Sequence, residues 1–204
     1  MTDLQNDMIL SDIEKSYNRK QVLRNCSLRF PKNTTTVMMG PSGSGKTTIL
    51  RILAGLEKPD RGSVVGVQRD DLAMVFQEAR LFGEATALEN VRAVLHGNRR
   101  ETKSQALAWL ARAGLADAAE TKARALSGGM AHRVAIVRAL ASGCKTIFMD
   151  EPFAGLDAEN EKRMIELVRG CCIGKTLVLV THRESVAAAF GGKVYHISSV
   201  ETSL

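Results

Sequence analysis

Short apolar runs of strand character alternate along this chain with segments of helical periodicity. The opening third contains three runs of β type, "DMILSDIEKSY", "CSLRF" and "TTTVMMG". After a glycine-rich segment, "TTILRILAGLE" places four apolar residues on one helical face, namely Ile49, Ile52, Leu53 and Leu56. The stretch "KPDRGSV" is typical of a turn, whereas "LAMVFQ" is typical of a strand.

The middle of the chain, residues 78–141, differs from the parts before and after it. Alanine is abundant there and helical periodicity dominates, as in "KSQALAWLARAGL". Strand-like runs return in "KTIFMDEP" and "KTLVLVTH", with the amphipathic helix "AENEKRMIELVRGC" between them. Strands alternating with helices predict an α/β fold with a parallel sheet. We expect residues 1–77 and 142–204 to form its core and residues 78–141 to form an inserted helical subdomain.

Size and composition indicate one globular domain, or one core with a subdomain. The 204 residues are 45% hydrophobic and 25% charged, which is ordinary for a soluble protein. No apolar run approaches the roughly 20 residues that cross a bilayer, and "MTDLQNDMIL" lacks the positive charge of a secretory signal. We therefore interpret Cys26, Cys144, Cys171 and Cys172 as reduced thiols of a cytosolic protein without a membrane span.

The net charge of +6 allows an anionic partner, but its distribution does not favour nucleic acid. Aromatic residues make up only 4% of the chain, so few are available to stack on bases. The densest basic cluster, "GNRRETK" at residues 97–103, contains none of them. We interpret this cluster as a solvated loop and expect no nucleic-acid partner.

The glycine-rich segment "GPSGSGKTT", residues 40–48, fits the phosphate-loop pattern G-x-x-x-x-G-K-[ST]. It follows a predicted strand and opens a predicted helix, which is the context that the pattern requires. Glycines let successive N–H groups converge on a phosphate, and the helix N-terminus adds positive charge. In this arrangement Lys46 can reach the β- and γ-phosphates, and the Thr47 hydroxyl can ligate Mg²⁺.

A pair of acids, Asp150 and Glu151, ends the predicted strand "TIFMD". Ligands of open α/β sheets bind at the carboxyl ends of strands, so Asp150 is placed to hold Mg²⁺ through water. A divalent cation would also relieve the repulsion between the two carboxylates. Glu151 would then orient or deprotonate an attacking water.

A second helix start with the features of an anion site lies at residues 126–142, "LSGGMAHRVAIVRALAS". Ser127 is a favourable N-cap, and the two glycines after it leave backbone amides uncovered. One chain offers no second phosphate for this helix start. Ordinary helix capping would explain an isolated S-G-G. Here, however, the segment is one of several motifs that follow one another in order along the chain, and together they form a series.

That series resembles the ATP-binding-cassette (ABC) ATPases over nearly the whole chain. Residues 40–48 resemble the Walker A loop, and residues 126–130 resemble the signature motif. Asp150 and Glu151 match the Walker B aspartate and the catalytic glutamate. The resemblance implies a P-loop NTPase (RecA-like) core with a mostly parallel sheet, an antiparallel β subdomain and an inserted α-helical subdomain.

Four further positions match this family. Gln77 in "VFQEARL" resembles the Q-loop glutamine, which touches Mg²⁺ and hinges the helical subdomain, and Asp157 ends a segment that resembles the D-loop. His182 resembles the switch histidine that contacts the γ-phosphate, and Tyr17 lies where the family places an aromatic ring against adenine. The resemblance thus implies catalytic roles for Glu151, His182, Lys46 and Gln77, and Mg²⁺ ligation by Thr47, Gln77 and Asp150. It assigns nucleotide contacts to Tyr17, Gly40, Pro41, Ser42, Gly43, Ser44, Gly45, Lys46, Thr47, Thr48, Gln77, Ser127, Gly128, Gly129 and Asp157.

The resemblance also explains the second helix start. In this family two subunits pack head to tail, and the signature residues of one close over the ATP held by the other. We therefore expect a homodimer or a heterodimer of such subunits with two composite sites. Met130 stands where glutamine is commoner, "AGLD" replaces the frequent "SALD", and we expect no C-terminal regulatory domain. Because the catalytic positions are retained, we expect ATP hydrolysis with Mg²⁺.

Transport is the leading functional hypothesis. The segment "VFQEARLFGEATALENV" resembles the part of bacterial importers that docks on a membrane subunit, and together with "SGGM" it is most similar to the nitrate, sulfonate and taurine group. The usual "PW" after "RL" is absent, which leaves the substrate class open. The expected partners are transmembrane permease subunits and, at the level of the complex, a substrate-binding protein, with the chain peripheral at the cytoplasmic membrane face. A non-transport ABC ATPase of a soluble, division or assembly complex, or one acting on nucleic acid or ribosomes, is the alternative.

Overall fold

The computed structural model describes residues 7–198 and 200–201, and their contacts divide them into two units. The first unit contains residues 7–72, Lys145–Asp150 and the described residues from Ile173 onward. The second contains Ala73–Cys144 and Glu151–Cys172. One of the boundaries between the units therefore falls between the two predicted acids.

Nine strands and six α-helices are found in the described residues. In chain order they are β1 (Met8–Tyr17), β2 (Lys20–Phe30), β3 (Thr35–Met39), α1 (Lys46–Leu53), β4 (Arg61–Val65), β5 (Leu72–Val75), α2 (Ala87–Arg92), α3 (Arg99–Arg112), α4 (Gly128–Ala141), β6 (Thr146–Asp150), α5 (Ala158–Cys171), β7 (Thr176–Val180), α6 (Glu184–Phe190), β8 (Lys193–His196) and β9 (Val200–Glu201). Short 3₁₀ turns occupy Arg69–Asp71, Ala116–Ala118 and Ala123–Ala125. The sequence pattern did not predict α6, β8 or β9.

An antiparallel layer in the first unit has the strand order β4-β1-β2-β9, with β9 joining β2 in parallel. β1 and β2 form a hairpin whose register runs from Met8 opposite Phe30 to Tyr17 opposite Lys20. The turn predicted for "KPDRGSV" is wrong for its second half, because β4 pairs along β1, with Val65 opposite Ile9. Composition misleads here because the pairing of β4 is set by a partner strand far away in the sequence.

A parallel layer in the same unit has the strand order β6-β7-β3-β8. Every residue of β6 and β7 is buried, which is characteristic of parallel strands that are covered on both faces. The predicted runs "KTIFMDEP" and "KTLVLVTH" thus form the core of this layer. Together with the antiparallel layer and the helices, this arrangement confirms the predicted fold class.

Helix α1 carries the predicted apolar face, but the helix ends before Leu56. Ile49, Ile52 and Leu53 are buried, whereas Leu56 is 59% exposed. The helix stops because Gly55 adopts φ 70 and the N–H of Leu56 bonds to the carbonyl of Arg51 at 2.9 Å, a Schellman-type ending. The expectation that Leu56 shares the buried face is therefore wrong.

The second unit contains the predicted helical segment as α2, α3 and α4, followed by α5. Asn98 caps α3, since its side chain accepts hydrogen bonds from the N–H groups of Arg100 and Glu101. The basic cluster at residues 97–103 is therefore largely the first turn of a helix, and the loop predicted there is wrong. Its basic residues are exposed, as expected. The capping pattern N-x-x-E at residues 98–101 is the signal that composition alone did not reveal.

A partly buried ion pair stabilises the beginning of β1 in the first unit. The carboxylate of Asp7 accepts hydrogen bonds from Arg29 Nε at 2.6 Å and from the Lys32 N–H at 3.0 Å. Burial raises the pKa of Asp7, but these two hydrogen bonds and the charge of Arg29 outweigh burial, so the pKa lies below its ordinary value. The pair therefore stabilises the fold only while Asp7 is ionised.

Two further expectations concern the whole described part of the chain. Within residues 7–198 and 200–201, no helix has the length and apolarity needed to cross a membrane. The four cysteines are all reduced thiols, with Cys26 and Cys172 buried.

Candidate functional site

The loop between β3 and α1 adopts a backbone that depends on its glycines. Gly43 and Gly45 have φ of 80 and 95, in the region that favours glycine. A Cβ at Gly45 would lie 2.6 Å from Leu23 Cδ2, whereas a Cβ at Gly43 would meet nothing within 4 Å. At Gly40, a Cβ would collide with the carbonyl oxygen of Ile197. The loop is thus packed closely at both ends and open at its tip.

Lys46 is the first residue of α1, and its side chain turns back onto this loop. Its ammonium donates hydrogen bonds to the carbonyls of Gly40 at 2.8 Å and Pro41 at 2.7 Å, and to Ser44 Oγ at 3.3 Å. The residue is 7% exposed. The positive charge of Lys46 and the N-terminus of α1 therefore belong to the same concave loop, which is the combination that binds phosphate groups.

The strand register places other predicted residues at the same edge of the parallel layer. Met38 of β3 and Asp150 of β6 are both register partners of Val180 in β7, so the three strands end together. The glycine loop begins just after Met38, Asp150 is the last residue of β6, and His182 follows Val180 by two residues. The first unit thus brings residues 40–48, Asp150 and His182 to one edge.

Tyr17 also belongs to the first unit, at the end of β1. Burial raises the pKa of its phenol, and a hydrogen bond with Glu57 acts in the same direction, while a hydrogen bond with Thr48 opposes both. Since Thr48 is in the first turn of α1, Tyr17 lies beside the phosphate loop. The ring is 38% exposed, and Lys15 Nζ lies 5.4 Å from its centroid.

The donor set at this edge suits Mg²⁺. Asp150 is 2% exposed and supplies a carboxylate, and Thr47, which is half-exposed, supplies a hydroxyl beside the phosphate loop. Among the described residues, no group of three His, Cys, Asp or Glu side chains forms a metal cage. Mg²⁺ commonly binds through one or two protein groups together with substrate phosphates, so these residues fit that ion.

The second unit contains Gln77, the signature segment, Glu151 and Asp157. Gln77 is exposed, in the loop after β5. Ser127 caps α4 as predicted, because its Oγ accepts a hydrogen bond from the Met130 N–H at 3.3 Å. Asp157 caps α5 by accepting hydrogen bonds from the N–H of Asn160 at 2.9 Å and from its side chain at 2.7 Å; these two bonds keep the pKa of Asp157 below its ordinary value.

Glu151 has a backbone conformation that is uncommon for its type, with φ 47. A left-handed conformation costs a residue other than glycine about 1 kcal/mol or more. A turn supports it, because the N–H of Ala154 donates to the carbonyl of Glu151 at 3.1 Å. Strained residues of this kind occur where the surrounding structure holds them in place, often at functional sites.

Three side chains of this unit form contacts that the sequence analysis did not identify. His132 Nδ1 lies 3.0 Å from the carbonyl oxygen of Ala154. Asn90, fully buried in α2, accepts from the N–H of Phe82 at 2.9 Å and donates to the carbonyls of Phe82 at 3.1 Å and Thr86 at 3.0 Å. Arg138 of α4 donates to Asn90 Oδ1 at 3.3 Å.

Comparisons with known proteins identify the family of this chain. Residues 23–154 match the ABC transporter family. Two proteins named aliphatic sulfonates import ATP-binding protein SsuB are similar over 97% of this chain. The one from Pseudomonas fluorescens (strain Pf0-1) is 38% identical, with 75% of its length covered. The one from Escherichia coli O6:H1 (strain CFT073) is 36% identical, with 79% covered.

Solved structures show the same similarity in three dimensions. The ATP-binding cassette MJ0796, in a dimeric post-hydrolysis state with ADP and Pi, superposes with a TM-score of 0.85 at 32% identity, covering 93% of this chain and 94% of that chain. A bacterial Atm1-family ABC exporter with ATP bound gives a TM-score of 0.81 at 25% identity, covering 92% of this chain and 36% of that one. This chain therefore belongs to the ABC transporter family.

Proposed function

We propose that this protein is the ATP-hydrolysing subunit that powers a bacterial importer, and that the importer carries small anionic solutes of the aliphatic sulfonate class. The observation that carries the proposal is the phosphate loop with Lys46 inside it, in a chain that is 38% identical to an import ATP-binding protein for aliphatic sulfonates. Such a subunit works at the cytoplasmic face of the membrane and is bound there to permease subunits.

The residues of the first unit bind ATP in this proposal. The N–H groups of the loop and Lys46 hold the phosphates, and Tyr17 stacks on the base. Thr47 and Asp150 would hold Mg²⁺, with Gln77 as a further ligand by resemblance; the ion would neutralise charge on the β- and γ-phosphates. The contribution of these groups is positioning and charge stabilisation, which dominate phosphoryl transfer.

Hydrolysis requires a second subunit in this proposal. Ser127, Gly128 and Gly129 of one subunit close over the ATP bound to its partner. The dimeric state of MJ0796 supports the pairing of two subunits. Glu151 orients the attacking water and accepts its proton, and His182 contacts the γ-phosphate. Closing and reopening of the dimer would drive the permease, to which the segment 77–91 docks.

The test is purification of the tagged chain from its native membranes in mild detergent, with mass spectrometry of the proteins that accompany it. We expect a multi-spanning permease and, after reconstitution into vesicles, ATP-dependent uptake of an alkanesulfonate. Phe82→Ala, at an exposed aromatic residue of the segment 77–91, should weaken recovery of the permease. Ile173→Ala is the matched control, because Ile173 is also exposed but lies outside that segment.

Different outcomes separate this proposal from its alternatives. Recovery of soluble partners alone would replace it with an ABC ATPase of a division or assembly complex. A permease that recovers equally with Phe82→Ala and Ile173→Ala would overturn the docking assignment. Uptake of a different solute would keep the transport function and overturn the sulfonate assignment.

A further inference from the structure

Two hydrogen bonds made by the backbone of Ala154 hold the loop that carries Glu151. Ala154 donates its N–H to the carbonyl of Glu151 at 3.1 Å, which closes the turn around the strained glutamate. The carbonyl of Ala154 lies 3.0 Å from Nδ1 of His132. A carbonyl oxygen can only accept, so Nδ1 must carry the hydrogen of this bond. A continuous chain of hydrogen bonds therefore runs from the backbone of Glu151 to the imidazole of His132.

His132 belongs to α4, the helix that begins with the signature segment. Gly129 lies three residues before His132, so the two share one face of the helix. At Gly129 a Cβ would lie 3.3 Å from the carbonyl oxygen of Gly155 and 3.4 Å from Leu156 Cδ2. The same face of α4 therefore lies along three consecutive residues of the loop 151–157: Gly129 is close to two of them, and His132 bonds to the third.

We propose that His132 is a positioning residue for Glu151: its Nδ1–H holds the carbonyl of Ala154 and thereby keeps the turn around Glu151 aligned with the first turn of α4. The consequence for catalysis rests on the role of Glu151 proposed above. In this arrangement a displacement of the signature segment is transmitted to the backbone of the glutamate through one imidazole. His132 touches neither nucleotide nor water in this role.

The kinetic test compares two substitutions at His132. His132→Ala removes the donor and lowers kcat for ATP about fivefold, which corresponds to about 1 kcal/mol at 1.36 kcal/mol per tenfold, while KM for ATP stays unchanged. His132→Asn retains an N–H donor at the position of Nδ1 and restores most of kcat. His96→Ala, at an exposed histidine in the same unit, keeps the wild-type kcat.

Amide hydrogen exchange tests the restraint directly and needs neither ATP nor a permease. In His132→Ala the N–H of Ala154 should exchange about fivefold faster, because the turn opens more often, while the amides in the middle of α4 keep their protection. In His132→Asn the exchange of Ala154 returns toward the wild-type rate. Unchanged exchange at Ala154, or equal kcat in the wild type and His132→Ala, overturns the inference.

The proposed role of Glu151 fails in a different way. If Glu151→Gln hydrolysed ATP at the wild-type rate, Glu151 would not be the catalytic base. The restraint itself would still be judged by the exchange of Ala154 in His132→Ala. A fall in kcat in His132→Ala together with a matching rise in KM, or with loss of protection throughout α4, would indicate general disruption and would also overturn the inference.

Discussion

Replacement of Asn90 by alanine should destabilise the second unit strongly, although Asn90 is not in the nucleotide site. The side chain of Asn90 is fully buried in α2 and makes two hydrogen bonds with the backbone of Phe82. It accepts from the Phe82 N–H at 2.9 Å and donates to the Phe82 carbonyl at 3.1 Å. It also donates to the carbonyl of Thr86 at 3.0 Å. Asn90→Ala removes these three bonds to backbone groups, together with the 3.3 Å bond from Arg138, and leaves the N–H of Phe82 without that acceptor.

The magnitude follows from these three bonds. Each contributes about 1 kcal/mol net, so their loss costs about 3 kcal/mol in the free energy of unfolding. The two carbonyls keep another donor each, since the carbonyl of Phe82 also accepts from the Ala85 N–H at 3.1 Å and that of Thr86 from the backbone N–H of Asn90 at 3.0 Å. The estimate therefore does not include a penalty for orphaned buried carbonyls.

Asn98 provides a matched control on the same unit. Its side chain also bonds to backbone N–H groups, those of Arg100 and Glu101, both at 3.0 Å, but it is an exposed helix cap. Loss of such a cap costs about 1 kcal/mol. The same substitution, asparagine to alanine, should thus cost about three times as much at residue 90 as at residue 98.

The assay is equilibrium unfolding in urea, followed by the fluorescence of Trp109. This residue is the single tryptophan of the chain, and it lies in α3 of the unit that contains both asparagines. At a slope of about 2 kcal/mol per M urea, Asn90→Ala should lower the midpoint by about 1.5 M and Asn98→Ala by about 0.5 M. Equal shifts, or a larger shift for Asn98→Ala, would show that burial of the amide does not set the cost.

Three further predictions concern the first unit and the acidic pair. Gly45→Ala should abolish ATP binding in a calorimetric titration and lower stability more than Gly43→Ala, because both add strain at positive φ but only Gly45 has a neighbour in the way. The wild type should be more stable than Asp7→Asn at neutral pH, because the bonds to the carboxylate, including that from Arg29, require its charge. This difference in stability should disappear as the pH falls from about 4 through the lower pKa of Asp7 in the folded protein. Urea midpoints measured from pH 7 to pH 3 would detect the loss. Glu151→Gln should lose turnover yet retain an ATP-dependent dimer on size-exclusion chromatography, and normal turnover would remove Glu151 from the role of base.

The sequence predicts elements well where the signal is local. The amphipathic pattern "AENEKRMIELVRGC" coincides with α5, residues 158–171, because a helical face and the N-cap Asp157 are both properties of neighbouring residues. The strands β6 and β7 are likewise predicted by short, fully apolar runs. The strand β4 was missed because most of its residues are exposed and Gly62 interrupts it, so only its pairing with β1 makes it a strand.

The motifs of the candidate site could be predicted from the sequence, whereas the side chains that hold the surrounding loops could not. The phosphate loop, Asp150 and Ser127 are identified by residue types at fixed spacings, and their local geometry agrees with those spacings. The bond of His132 has no such signal, because its partner is a backbone carbonyl 22 residues away, and a backbone carbonyl is independent of residue type. Asn90 gives a weaker hint, as a polar residue among apolar neighbours in "ALENVRA".

In the proposed function the two neighbouring acids, Asp150 and Glu151, have different roles. Asp150 completes a strand in which every residue is buried, whereas Glu151 is half-buried and turns the chain with a left-handed backbone. The strand ends there because φ 47 is incompatible with an extended conformation. The two residues therefore differ in backbone conformation and in burial. In paired acids, such differences in environment separate the chemical roles of the two carboxylates. The first is suited to hold a cation at the edge of the sheet. The second belongs to a loop that His132 of α4 contacts at the carbonyl of Ala154.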